Sequence, residues 1–414
     1  MSEKSIKSAE CAIILQKMRY LLSFVAIFVC LFFSSCNGGG DRTVVTGEID
    51  LSGFTLLEID PLDVRTSDNK ISLFADSIVY MPLETNDSVL IGVVSKVLVS
   101  GEKLYLLDKM SESVFCFDFN DGRFLYKISA KGQGPGEYYG ISDFDVTSDE
   151  EVVIQSSGQG LFFYRDGKAT REIRLPIVGG EIKIGKNDTS YFYVGRSYNE
   201  RIFRDFPQQR RLLRLVGDVI TDEYLPYKYN EEVFSRFPSA RNSFFSLKDT
   251  LVLVEYLNQE TYHIFHGNLM PKYKFRFVGN RETFNYNNPI EVNKKIIEKE
   301  QRGEYSRLSR YVETDDYIFI SYSIKKYVMH SFVQKKDLKI NNSGLFYVDD
   351  FNNISLSAGI LYVTENNELV GVIGEPDNLL QLLNHTNNIS KEMQQLKTGL
   401  NGSDNPIIVK IKLK

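Results

Sequence analysis

Lys131-Gly132-Gln133-Gly134-Pro135-Gly136-Glu137-Tyr138 concentrates more chemically suggestive residue types than any other stretch of this chain. Three glycines and a proline demand backbone angles that glycine tolerates and proline presets. Such a loop could turn successive N–H groups inward as an anion-binding nest. It is not a dinucleotide fingerprint, whose last glycine follows two intervening residues and opens a helix, and no Gly-Lys-Ser/Thr follows to make a P-loop. The stronger reading is a preset corner between two sheets. Lys131, Gln133, Glu137 and Tyr138 then stand at the rim of that corner as candidate binding residues, with Asp143 just beyond it.

Asp143-x-Asp145 could lend oxygens to Ca²⁺, but the twelve-residue loop of an EF-hand is absent. Carboxylates at a strand end also accept backbone hydrogen bonds, and that is the preferred reading. The four histidines are His263, His266, His330 and His385. They form no His-Glu-x-x-His or cysteine–histidine set, so no metal site is assigned and no cofactor is expected, with a channel-bound divalent ion as the minor alternative. Arg196, Arg201 and Arg204, continued by Arg210, Arg211 and Arg214, make the one notable basic cluster. Guanidinium forks match carboxylates and phosphates, so an acidic ligand could dock there; a solvated strand face is the plainer explanation. The chain has 24 Tyr, 28 Phe and no Trp, which argues for aromatic core packing over a polysaccharide platform.

The elements that carry these residues are strands. Val93–Val99, Lys103–Asp108 and Ser113–Asp118 are strand-length runs bounded by turn residues, and Asn120-Asp121-Gly122 leads into Phe124–Ile128. The same pattern returns over 141–176, with Asp166-Gly167 before its last strand. Two four-strand units at a spacing of about 40 to 50 residues are the signature of propeller blades. Further units read at 181–216, 243–278, 309–348 and 354–372 with 407–413. The early runs Ile71–Phe74 and Ile78–Leu83 would complete the last blade and hide both sheet edges. Two helical insertions interrupt the β pattern: 289–310, with Val292, Ile296 and Ile297 at helical spacing, and 377–397.

The N-terminus reads as an address. Lys17 and Arg19 precede the apolar run Tyr20–Phe33, too short to span about 30 Å of hydrocarbon comfortably but suited to a signal peptide. Ser34-Ser35-Cys36 looks like a lipobox, with Phe33 in place of the usual leucine, and Met18 is a candidate start. The expected division is a leader over 1–35, a lipidated Cys36 with a flexible tether over 36–69, and one propeller domain over 70–414. Asn37-Gly38-Gly39-Gly40 is a flexible composition. Cys116 is the one cysteine outside leader and anchor, so no disulfide is expected. With 49 basic and 54 acidic residues the charge is too balanced for nucleic acid.

Leu104–Asp108, Phe117-Asp118, Asp121-Gly122, Gly134-Pro135-Gly136-Glu137-Tyr138 and Asp143-Phe144 together resemble the bacterial six-bladed, NHL-like β-propeller lipoproteins. The likeness runs from about Ile71 onward and is strongest from Ile91 to Asp145. It implies an all-β six-bladed β-propeller, anchored by lipid in the bacterial cell envelope. Four-stranded antiparallel blades and the two short helical insertions come from the strand and helix patterns above, and the uncharged Asn37 after Cys36 is compatible with sorting onward to an outer membrane. The resemblance implies no established activity. The expected function is a non-catalytic binding or scaffolding module for a small ligand or an envelope protein. The alternatives are an NHL-like hydrolase, lactonase or lyase with a divalent metal in the channel, or an accessory subunit of an outer-membrane uptake complex.

Overall fold

A computed structural model describes residues 53–65, 68–194, 210–226, 242–256, 258–280, 289–356 and 359–414. Six antiparallel sheets follow one another along the chain and form the six blades of a propeller. Blade 1 is built from Val94–Ser100, Lys103–Asp108, Ser113–Asp118 and Phe124–Ile128. Blade 2 spans 143–174, blade 3 has strands between 181 and 226, blade 4 between 244 and 277, and blade 5 between 306 and 344. In each, the first strand lies innermost and touches the first strands of both neighbouring blades, so the six close into a ring.

Blade 6 closes that ring with both ends of the domain. Gly359–Val363, Glu368–Ile373 and Ile407–Leu413 are joined by the early strand Ala75–Pro82 as the outermost member. The expected closure therefore holds, with one change: Ile71–Leu73 is a 3-10 turn rather than a strand. Ile71 and Phe74 are instead plugs. The Phe74 ring meets Phe319, Phe332 and Tyr347 edge-on at 5.0 to 5.6 Å, so these two side chains knit the start of the domain into blade 5.

The segment read as tether over 36–69 also contributes to the fold. Thr55–Ile59 adds a fifth strand to blade 4, pairing in parallel with Asn268–Phe277. Leu57 and Ile59 face inward and are buried, while Leu56 and Glu58 alternate outward. Beyond it, Asn342 Nδ2 donates to the Asp60 and Asp63 carbonyls, each at 3.0 Å, tying the chain to blade 5. Thr55-Leu56-Leu57-Glu58-Ile59 is short and not strictly alternating, too little pattern to announce a strand even with Gly53 before it and Asp60-Pro61 after it; the exposed edge of blade 4 supplies the partner that makes it one.

Strand direction sorts the connections onto two faces. Links from first to second and from third to fourth strand fall on one face, and there the longest, 119–123 and 147–151, are five residues. Links from second to third strand and from blade to blade fall on the other, here called the mouth. The mouth carries helix α1 (Pro289–Arg302), helix α2 (Pro376–His385) and helix α3 (Lys391–Gly399). The hairpin of Tyr347–Asp349 and Ile354–Leu356 lies in the connection between blades 5 and 6 and packs on the start of the domain, where Asp350 accepts from Ser72 and Asp349 from the Tyr80 hydroxyl.

The second insertion is thus a helical pair, not the single helix its apolar spacing suggests. Asn388 takes φ +59 between α2 and α3, and the Ser390 hydroxyl caps α3 by accepting from Met393 N at 3.1 Å, so local turn chemistry overrides the continuous pattern. Leu379, Leu383 and Met393 bury the pair against the domain. Helix α1 is similarly docked rather than merely exposed. Ile296 is buried, and Glu300 reaches Arg307 at 2.8 Å and the Ser323 hydroxyl at 2.6 Å on blade 5.

Candidate functional site: the channel mouth

Polar residues of the innermost strands meet at the channel in a chain of clasps from blade to blade. Lys96 in blade 1 donates to both carboxylate oxygens of Asp143 in blade 2, each at 2.9 Å, and to the Phe144 carbonyl at 2.8 Å. Asp143 in turn accepts from Ile182 N of blade 3 at 2.8 Å. Two residues along, Asp145 accepts from Lys183 Nζ at 2.9 Å and Ile184 N at 2.6 Å. Glu181 of blade 3 accepts from the backbone N–H and, at 3.1 Å, the hydroxyl of Ser243, which precedes blade 4. Tyr362 of blade 6 donates to the Val99 carbonyl of blade 1 at 3.3 Å. Asp143 and Asp145, two apart on one strand, both accept from blade 3, whereas Glu181 reaches forward to Ser243 and Lys183 back to blade 2.

Charge is matched unevenly around this belt. Asp143 has Lys96 and Asp145 has Lys183, but Glu181 is held by neutral donors. Burial and then the nearby Asp143 charge push the Glu181 carboxyl up to about 7, with Lys96 and the Ser243 hydrogen bonds offsetting part of the rise. Its side chain still keeps partial exposure, as do Lys183 and, more fully, Ser246 and Arg310 on other innermost strands. A side chain on the innermost strand that is open to solvent faces the channel, so the lumen is wet and bears both signs of charge.

Around the mouth, most of the rim residues expected from sequence are engaged within the chain. The Glu137 carboxylate accepts from Gly134 N at 2.8 Å, and a Cβ on Gly132 would fall 2.0 Å from the same carboxylate oxygen. The nest is therefore filled from within by the chain's own anion. Tyr138 is fully buried; its hydroxyl accepts from Ala130 N at 3.2 Å and donates to the Glu112 carbonyl at 3.0 Å. Lys131 pairs with Glu112, Gln133 is exposed, and Asp143 lies in the belt. Arg196, Arg201 and Arg204 lie outside the described residues. Of the cluster's continuation, Arg211 forms a buried pair with Glu255, which also accepts from the Tyr193 hydroxyl at 2.7 Å, and Arg214 pairs with Asp222.

Among the described residues the mouth also carries exposed apolar side chains. Val93, Met110, Tyr139 and Val178 stand exposed on the connections around blades 1 to 3. Asp108 fixes the first of these connections by accepting from Gly92, Val93 and Met110 N–H groups and the Ser111 hydroxyl. Burial would raise its carboxyl, but those donors outweigh it and hold it low.

Histidines do not converge. His263 bonds Glu313 at 3.2 Å across blades 4 and 5, while His266 occupies a turn at φ +49. No group of three His, Cys, Asp or Glu that could hold a metal occurs among the described residues.

Lys96, Glu181 and Ser243 escaped the sequence reading. Their signal was a polar residue at or near the start of the first strand in blades 1 to 4, visible only after the units are aligned by strand order.

Fold and belt define the class: a six-bladed propeller of four-stranded blades, closed by strands from both ends of the domain. The chain belongs to the DUF4934 family, a domain of unknown function, whose family model matches residues 58–412. It is similar to a crystal structure from Bacteroides fragilis provisionally described as an exported protein, at 18% identity and a TM-score of 0.67, covering 87% of this chain and 100% of that one. It is also similar to a DUF4221 family member from Bacteroides vulgatus, at 11% identity and a TM-score of 0.50, covering 82% and 97%. At these identities the likeness is one of fold. No curated protein matches the chain.

Proposed function

We propose that this protein is a lipid-anchored propeller of the cell envelope, at the outer membrane, acting as a non-catalytic binding or scaffolding module whose ligand or partner is taken at the channel mouth. The observation that carries the reading is the sorting of connections. One face has only short links of up to five residues, while the other receives the long connections, including all three helices, and carries exposed apolar side chains of blades 1 to 3. Loops raised on a rigid scaffold are where binding function concentrates. The exported description of the Bacteroides fragilis protein and the lipobox-like Ser34-Ser35-Cys36 support the address.

The belt favours binding over catalysis. Asp143 and Asp145 hold blades together, and neither is poised beside a nucleophile. No cofactor is part of this reading.

Thr55–Ile59 runs parallel to a strand that climbs toward the mouth, so the chain enters blade 4 from the tight-turn side.

The test places a photocrosslinking residue in the full chain at Met110 or Tyr139 on the mouth, or at Asp249 on the opposite face, in cells expressing the protein. Adducts from the mouth positions alone are expected, in the membrane fraction, with Cys36→Ser moving the protein to the soluble fraction. Adducts from Asp249 alone would overturn the assignment of the face; unchanged fractionation of Cys36→Ser would overturn the anchor.

A further inference from the structure

On the tight-turn face, blades 2 and 3 diverge around a cleft of about 390 Å³. Its floor is apolar: Leu161, Phe163 and Ile173 from blade 2 and Ile184 from blade 3. Its walls are the turns over 147–151 and 185–188 and the start of the strand Thr189–Tyr193. The Arg171 guanidinium lies 3.7 Å from the centre of the Phe163 ring and reaches Asp188 at 3.2 Å, spanning the cleft from blade to blade.

Charge in the walls cancels. Asp149 pairs with Arg165 at 2.6 Å, Glu151 lies 3.6 Å from the same guanidinium and accepts from the Thr170 hydroxyl, and Asp188 holds Arg171. Arg165, Arg171 and Lys186 thus balance three acids. What remains uncommitted is neutral hydrogen-bonding capacity. Ser190 is 4% exposed and its hydroxyl is buried without a partner, while Ser148 and Thr189 offer further hydroxyls and Asn187 an amide at the cleft wall.

We propose that this cleft binds a neutral sugar of one or two rings. An apolar floor fits the C–H face of a sugar ring, and uncommitted hydroxyl and amide groups fit its hydroxyls. Zero net charge gives an ionic ligand no advantage. The volume sits near the lower end of the roughly 300–1,000 Å³ typical of ligand pockets, which excludes long chains. Recognition here needs no indole platform: Phe163 and Leu161 are buried, the former beneath Arg171, and the partly exposed Ile173 and Ile184 present the apolar surface. The site lies on the face opposite the mouth, and its occupancy does not depend on what the mouth binds.

The experiment is a calorimetric and saturation-transfer titration of the full chain in detergent with neutral hexoses, N-acetylhexosamines and disaccharides. Uronic acids and hexose phosphates serve as the anionic comparison. At least one neutral sugar should saturate with a dissociation constant of about 1 mM or below, and Ser148→Trp, which fills the entrance from an exposed turn, should weaken it about tenfold or more. Ser190→Ala should weaken it by a smaller factor, about threefold to tenfold, as expected for one hydrogen bond. An unchanged melting temperature of each variant without sugar certifies folding. Failure of every neutral sugar to saturate, tighter binding of the anionic sugars, or undiminished affinity in the folded Ser148→Trp variant would each overturn the proposal.

Discussion

Replacing Asp143 by asparagine removes one charge from the belt while preserving its shape. In the native protein the residue joins three blades: it takes the Lys96 ammonium of blade 1, belongs to blade 2, and accepts from Ile182 N of blade 3. Lys96 and Asp143 are 7% and 4% exposed, so water cannot replace the lost partner. The asparagine oxygen can still accept from Ile182, which isolates the electrostatic part of the change. Removing one partner of a buried pair strands the other charge and costs about 3–5 kcal/mol. Unfolding entropy of about 2.1 cal/mol/K per residue over about 360 residues converts this to a fall in Tm of about 4–7 °C. Thermal and denaturant unfolding of Asp143→Asn at pH 7 would measure it. The double variant Lys96→Met/Asp143→Asn removes both charges and should recover most of the loss, because an apolar replacement of a buried pair is often close to neutral. A single-variant cost below about 1 kcal/mol, or a double variant no more stable than the single, would refute the view that this pair cinches the blades.

Three further outcomes follow from individual sites. Burial raises the Glu313 carboxyl, but hydrogen bonds from His263, Lys335 and Tyr311 and the Lys335 charge outweigh it and hold it at about 2. Because that value lies below the ordinary 4.5, the stability it contributes, about 3 kcal/mol, is present above pH 4.5 and lost as pH falls toward 2; Glu313→Gln should flatten this limb in acid unfolding curves. His330 is held down to about 4 by burial and then by the Arg310 charge, so the unfolded chain takes up a proton first and stability should fall between pH 6.5 and 4. His330→Gln should remove that slope in urea midpoints measured across the same range. Gly136 sits at φ +73, and a Cβ there would lie 2.6 Å from the Ala169 Cβ, so Gly136→Ala should lower stability by about 1–3 kcal/mol and expose the Gly-Pro-Gly corner to proteolysis.

Legibility from sequence followed the range of the interactions. The blade pattern was readable because it is local: strand-length runs of Val, Ile, Tyr and Phe, two-residue turns such as Asp166-Gly167, and a repeat that returns the same order of elements. Asp166 and Gly167 indeed take φ +48 and +79, the left-handed pair that a tight hairpin needs. The closing role of Ile78–Leu83 was readable from the need to hide sheet edges. By contrast, Thr55–Ile59 carries too little pattern to be seen, and only the free edge of blade 4, more than 200 residues away in sequence, makes it a strand.

The site divides along the same line. By itself the sequence determined the repeat, the presence of a preset corner at Gly134-Pro135-Gly136, and the strand-end placement of Asp143 and Asp145. It could not say that Glu137 fills the nest that those glycines form, since that depends on where a side chain folds back in space. Nor could it join Lys96 to Asp143 or Glu181 to Ser243, whose partners lie in different blades. Ring closure brings six strand starts to one axis, and that convergence decides which polar residues become clasps between blades and which are left toward the channel.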